Sequence, residues 1–330
     1  MTRFRLTVVL LTAVIIATTV LALGTGSAGL GVIETVEALF GKGESVDVMI
    51  VQQWRLPRAV AAIAFGAALA VAGSLMQNAT RNPLGSPDII GFDTGAFTGV
   101  LIAGILLGSN FAGLTAGALA GGMIAAAVVV LVARLGGSGA FRVIIVGIAM
   151  SAFLTSVNTW IILAADVKVA MSASSWALGS LNDVTWDRVV PAAALVACCA
   201  LPAGLLTRPL HTLAVGDALA RGLGVDPPRV RLWATVLAVL LAATVVAVTG
   251  PIAFVALAAP HLASLMTGQR GYAPLAAALT GAALLSVADL IALRLIPGAP
   301  LPVGAVTVSV GGVYLIVLIA VSARQRKVVA

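Results

Sequence analysis

Twelve carboxylates, two histidines and two cysteines are spread through 330 residues, and their spacing decides against most covalent chemistry. His211 and His261 lie on either side of an apolar run, and neither belongs to His-Glu-x-x-His or to a Cys/His cluster, so a zinc or protease site is not indicated. Cys198 and Cys199 are neighbours inside an apolar segment and read as packing residues rather than as a disulfide or metal ligands. There is no Gly-x4-Gly-Lys-Ser/Thr, so ATP cannot be held here by a P-loop. What remains is charge placed for contact. Arg55 and Arg58 in Trp54-Arg-Leu-Pro-Arg58 are three apart on one helix face, suited to anchoring at an interface or to an acidic group on a partner. Asp93 falls one turn inside an apolar run, where an ionisable group needs a partner. Asp289 and Arg294 are five apart, a poor helical pair, and a different helix is an alternative source of a partner for Asp289. Ser151, Thr155, Asn158 and Thr159 recur at i, i+4, i+7 and i+8, a polar stripe that serves either helix–helix hydrogen bonding or the wall of a pathway.

The elements that carry these residues are set by composition. The chain is 61% hydrophobic and 9% charged, with mean hydropathy +1.13. A soluble domain is about a quarter charged, so this is an integral membrane protein. Its apolar runs are long and continuous, which selects helices over a barrel. At roughly 20 residues per crossing, ten spans fit, near 6–23, 56–76, 89–108, 111–133, 142–164, 189–206, 230–249, 252–268, 273–295 and 303–321. The first run follows Arg3 and Arg5 and resembles a signal sequence, but its length and the lack of a cleavage site make it a first span. One transmembrane domain over 1–330 results, with no soluble module.

Net charge is +7, yet there is no basic block and few aromatics, which argues against nucleic acid. The basic excess instead reports topology. With both termini in the cytoplasm, 13 of the 19 Lys and Arg fall inside, leaving Lys42, Arg55, Arg58, Lys168, Arg188 and Arg294 outside. The outer segment 165–188 carries Trp176 and Trp186, expected in an interfacial belt. Gly91, Gly95 and Gly99, and Gly113, Gly117 and Gly121, recur every four residues and are expected to pack helices closely within the chain. Between the second and third spans, Pro83 and Pro87 break helix, and Ser86 or Asp88 is expected to cap the third span.

The longest internal polar stretch is 207–231. Asp217 starts a short helix through Leu219, Ala220 and Arg221, with an expected Asp217–Arg221 pair. Gly222 and Gly224 end it, and Asp226-Pro227 caps the next span. Leu219 and Leu223 share a face with nothing of their own chain evidently waiting for them.

Together the motifs resemble the FecCD family of ABC importer permeases. The matching segments are Arg55-Leu-Pro-Arg58, Arg81-Asn-Pro-Leu-Gly-Ser-Pro-Asp88, Gly91-Phe-Asp-Thr-Gly-Ala96, Gly216 to Gly224, Gly250-Pro-Ile-Ala-Phe-Val255, Pro260-His261, Ala288-Asp289 with Arg294, and Leu301-Pro-Val-Gly304. Ser264 departs from the pattern, standing where the family usually has Arg. The resemblance implies an all-α integral membrane protein of type II importer architecture in a bacterial cytoplasmic membrane. It implies a permease subunit for a ferric siderophore, or for haem or cobalamin, that does no covalent chemistry itself. Partner ATPases would hold ATP and magnesium and grip Gly216, Asp217, Leu219, Ala220, Arg221, Gly222, Leu223 and Gly224, while this chain binds no cofactor and no metal. An extracytoplasmic binding protein would dock on Arg55, Arg58 and Arg294. A second permease subunit, more in keeping with a heterodimer, would share a pathway lined by Ser151, Thr155, Asn158 and Thr159, closed at Gly136, Gly137, Ser138 and Gly139. The competing readings are weaker on the residues. An ion-coupled transporter wants a buried carboxylate network beyond Asp93 and Asp289, and an intramembrane hydrolase wants a triad or metal set.

Overall fold

A computed structural model describes residues 2–24, 30–108, 111–135, 140–269, 271–296, 299–314 and 316. Helix is the regular structure throughout these residues. In chain order the helices are α1 (Thr2–Leu23), α2 (Val32–Leu39), α3 (Ser45–Met49), α4 (Leu56–Thr80), α5 (Phe92–Leu107), α6 (Phe111–Leu135), α7 (Ala140–Ala164), α8 (Val167–Ala177), α9 (Trp186–Leu205), α10 (Thr207–Ala214), α11 (Asp217–Gly222), α12 (Pro227–Thr249), α13 (Val255–Thr267), α14 (Pro274–Arg294) and α15 (Val303–Tyr314). Among the described residues seven helices are long and apolar enough to cross a membrane, and α5, α13 and α15 are shorter apolar helices at three further expected positions.

The second span begins earlier than its sequence pattern indicates. A continuous helix runs from Ser45 to Thr80, passing through a π-helical turn at Ile50–Arg55. Proline explains the wide turn. Pro57 has no N–H to give to the preceding turn, and its ring crowds the carbonyl four residues back. Shifting to i→i−5 bonding, as in Leu56 N–H to Val51 O, relieves that conflict without ending the helix.

The core is built around α4, most of whose side chains are buried. Helices α9, α12, α13 and α14 pack against it. Helix α7 is the opposite case, with only 11% buried and Phe153, Trp160 and Leu163 exposed. Lipid is as apolar as leucine, so helix association here depends on close packing rather than on escape from water. The glycines supply that closeness. A Cβ on Gly99 would strike the Gly117 carbonyl, and one on Gly121 would strike that of Gly95, so α5 and α6 meet backbone to backbone. Gly66 and Gly281 do the same for α4 and α14, and Gly73 lies against Ala256 of α13. The ladder is therefore intramolecular, as expected, except that Gly91 serves as the left-handed residue (φ 79°) before α5. Replacing Gly99 with leucine is expected to cost about 3 kcal/mol through overpacking, read as a lower unfolding midpoint in detergent.

Side-chain ties sort the loops onto two faces. On one, the Thr7 hydroxyl donates to Met266 O (3.2 Å) and Arg81 reaches Asp217. On the other, Trp186 Nε1 donates to Gln52 O (2.8 Å), Arg55 to Leu23 O (2.6 Å) and Asn182 to Pro300 O (3.3 Å). Trp176 and Trp186 are half-buried against the protein. Segment 165–188 folds inward because Ser180 N–H bonds Thr249 O (2.7 Å) and Gly304 N–H bonds Gly179 O (3.0 Å).

Candidate functional site

The 207–231 connection folds as two short helices on the first of these faces. Helix α10 buries Leu210 and Leu213, and its His211 Nε2 meets Tyr272 O at 3.1 Å. After Gly216 (φ 121°), α11 runs from Asp217 to Gly222. It ends in a Schellman turn, with Val225 N–H to Ala220 O (2.9 Å) and Gly224 N–H to Arg221 O (3.0 Å). Gly224 is the left-handed residue (φ 79°), whereas Gly222 stays helical. Asp226 then caps α12, accepting from Arg229 N–H at 3.4 Å.

Asp217 does not pair with Arg221, its expected helical neighbour. Its carboxylate takes Arg231 Nη1 at 2.8 Å and Nη2 at 2.7 Å, and it also takes Arg81. Arg231 Nε simultaneously donates to Ala79 O at 3.1 Å. Two long-range guanidiniums outcompete the local one because a bidentate fork satisfies both carboxylate oxygens. The Arg231 hydrogen bonds, with the charge of Arg231 and Arg81, hold the Asp217 carboxyl below its usual range. The result ties α11 to the ends of both α4 and α12. Ala220 is fully buried in that joint, while Leu219 and Leu223 stand 55% and 64% exposed. Arg221 is exposed and has no ion pair among the described residues.

The arginines of the opposite face divide. Arg58 turns inward and grips Asp289 bidentately, with Nε at 3.0 Å and Nη2 at 2.8 Å from Oδ1. Its side chain is 12% exposed and that of Asp289 3%, so Arg58 is not an outward docking group in this conformation. Asp289 thus finds its partner on another helix, α4. Arg55 is half-buried and caps the end of α1 through Leu23 O, and Arg294 is exposed at the end of α14.

The polar stripe of α7 is split by the packing. Asn158 is buried and donates to Thr94 O (3.3 Å), and Ser151 sits beside Gly91. Thr155 and Thr159 are exposed, their hydroxyls turned back to Ser151 O (2.7 Å) and Thr155 O (2.9 Å). Helix–helix hydrogen bonding thus describes Asn158, whereas Thr155 and Thr159 lie on the exposed face of α7. Gly136, Gly137, Ser138 and Gly139 lie outside the described residues.

Neither Ser86 nor Asp88 caps α5. A 3₁₀ turn, Pro87–Ile90, intervenes, and Gly91 is the N-cap. Ser86 Oγ donates instead to Asp88 Oδ2 (3.3 Å), and burial pushes the Asp88 carboxyl up to about 6. Ser264, the departure from the family pattern, bonds its own helix at His261 O (2.7 Å). No group of three or more His, Cys, Asp or Glu side chains is gathered for a metal among the described residues.

The family model for the FecCD transport family matches residues 13–321. The chain is 41% identical over 324 residues to the ferric enterobactin transport system permease protein FepG of Escherichia coli (strain K12), covering 98% of each. It is 39% identical to the Fe(3+) dicitrate transport system permease protein FecD of the same organism, over 82% of this chain and 85% of that one. Against the hemin transport system permease protein HmuU of Yersinia pestis the identity is 33%, over 82% and 83%. The fold matches a metal-chelate type ABC transporter solved in an inward-facing conformation, with TM-score 0.83, 26% identity, and coverage of 96% and 99%.

Proposed function

Because the chain belongs to the FecCD transport family, we propose that it is the membrane-spanning permease subunit of an ATP-driven importer for a ferric siderophore. The observation that carries the mechanism is the exposed pair Leu219, on α11, and Leu223, just after it, on a segment bound by Asp217 to α4 and α12. Two apolar side chains on a short, firmly seated segment suit a groove on another protein. The joint beneath them transmits a push on α11 to the central helix of the fold. ATP and magnesium belong to the partner ATPase pair, and this chain contributes movement rather than bond chemistry.

Ten crossings with both termini in the cytoplasm fit the seven long and three shorter apolar helices. The basic bias supports the same sidedness. The relatives named for ferric enterobactin and ferric dicitrate support an iron chelate as cargo. The exposed face of α7, with Thr155 and Thr159, is where a second permease subunit would complete the pathway. Ser151 and Asn158 would position that wall from behind, and Gly136, Gly137, Ser138 and Gly139 would close it. Arg55 and Arg294 remain the groups that a carboxylate-bearing binding protein would meet. Arg58 helps by fixing the helix that carries Arg55.

The test is reconstitution. Proteoliposomes holding this chain, its partner permease and ATPases are expected to accumulate ferric siderophore only with the binding protein and ATP. Accumulation without any ATPase would sink the reading. In the same vesicles, Arg55→Glu with Arg294→Glu is expected to weaken docking of the binding protein at least tenfold, taking about 1.4 kcal/mol as one decade. Unchanged affinity would remove these two arginines from the docking surface.

A further inference from the structure

A cavity of about 420 Å³ opens between the start of α1, helix α10 and the turn into α14. Its wall is mostly apolar, with a polar minority. Thr207, His211 and Gln269 provide hydrogen-bonding groups, and Phe4, Pro274 and Leu275 provide apolar surface. Leu275 is 59% exposed, so the apolar side continues onto the outside of the helix bundle. His211 is held by Tyr272 O, and Gly271 (φ 93°) leaves no room for a side chain, since a Cβ there would come within 2.8 Å of the ring.

The charged residues next in sequence to the lining residues Phe4 and Thr207 are basic. Arg3 and Arg5 flank Phe4, Arg208 follows Thr207, and all three are exposed. No Asp or Glu occurs in residues 1–33, 188–216 or 227–288, the stretches from which the cavity is built. Arg3, Arg5 and Arg208 have no ion pair among the described residues. A polar notch with an apolar exit, whose lining residues have exposed arginines as their sequence neighbours, matches a phosphate that carries hydrocarbon.

We propose that this cavity seats an anionic phospholipid, its phosphate held by Arg208 with Arg3 and Arg5, its headgroup against His211 and Gln269, and its first acyl carbons along Leu275. The bound lipid braces α10, which leads through Val215 and Gly216 directly into α11, so occupancy steadies the segment that the ATPase grips. Placing this lipid in the cytoplasmic leaflet rests on the topology proposed above.

The full chain with its partner subunits, equilibrated in bilayers of mixed phosphatidylglycerol and phosphatidylcholine, is extracted in mild detergent and its retained lipid counted by native mass spectrometry. Selective retention of phosphatidylglycerol is expected. Arg208→Gln should lower it about fivefold, and neutralising Arg3, Arg5 and Arg208 together about a hundredfold, at roughly a factor of five per surface cation. Arg142→Gln, an exposed arginine at the start of α7, serves as the control and should leave retention unchanged. Because Arg3 and Arg5 also bias insertion, Arg208→Gln with Gln269→Leu provides a variant that leaves the N-terminus intact, and it too should lose the lipid. Equal retention of both lipids, or equal loss in the Arg142 control, overturns the site. Displacement by millimolar glycerol 3-phosphate would make a free phosphate the ligand and overturn the lipid assignment. The count needs neither ATP nor cargo, so failure of the transport reading would leave it standing, and the converse also holds.

Discussion

Asp289→Ala is expected to leave the protein inserted but about 3–5 kcal/mol less stable, the cost of orphaning one member of a buried ion pair. Arg58 and Asp289 join α4 to α14 across 231 positions of sequence, both side chains nearly closed to solvent. Removing the carboxylate strands a guanidinium where little else can answer it. Arg58→Lys should also fail, since an ammonium cannot reproduce the fork that meets Oδ1 and Oδ2. Replacing both at once, Arg58→Met with Asp289→Leu, should restore most of the loss, because an apolar pair of similar volume avoids desolvating two charges. Denaturant titration of the detergent-solubilised protein reads all three. A single Asp289→Ala that unfolds at the parental midpoint would mean that the pair is dispensable.

The other large effect belongs to α11. Leu219→Glu and Leu223→Glu should each weaken ATPase association about thirtyfold, the usual scale of a buried anchor lost from an interface at about 2 kcal/mol. Stability should hardly change, because both side chains face outward in the isolated chain. Co-purification of the ATPase, together with the unfolding midpoint, separates this from misfolding. Full association by both variants would place the grip elsewhere.

Asp217→Asn acts on the same helix from beneath and brings a pH dependence. The folded-state value lies below that of a free aspartate, so the carboxylate's stabilisation is fully present above the ordinary range and disappears as pH falls through the depressed value. Acidification should therefore loosen α11 in the parent, seen as faster amide exchange at 217–222, and should have less effect in Asp217→Asn.

Local rules account for a large part of this chain. The spans, the short helix from Asp217 and the Asp226 cap all arise from hydropathy, spacing and capping chemistry within a few residues. The pairings have a different origin. Arg55 and Arg58 look equivalent in sequence, three apart on one face, yet only the tertiary position of Asp289 makes one inward and the other a cap for α1. Asp217 has an attractive neighbour in Arg221, and the two arginines that actually reach it come from the far end of α4 and the start of α12. The π turn left one local trace, a proline placed where a helix could begin. Nothing in the local pattern says whether Pro57 starts a span or is absorbed within one. Glycine periodicity, by contrast, announced close helix approach, and the fold settles which helices approach.

Those glycine seams also bear on motion. Where backbone rests on backbone, as at Gly99 with Gly117 and Gly66 with Gly281, there are no side-chain rotamers to exchange. Sliding by a fraction of a turn would drive each helix into the other. The α5–α6 pair and the α4–α14 pair are therefore expected to move as two stiff units, with changes of shape taken up between them. Helix α7 lies against α5 and α6, so its polar face rides with that pair, whereas Asp217 is tied to α4 through Arg81 and to α12 through Arg231.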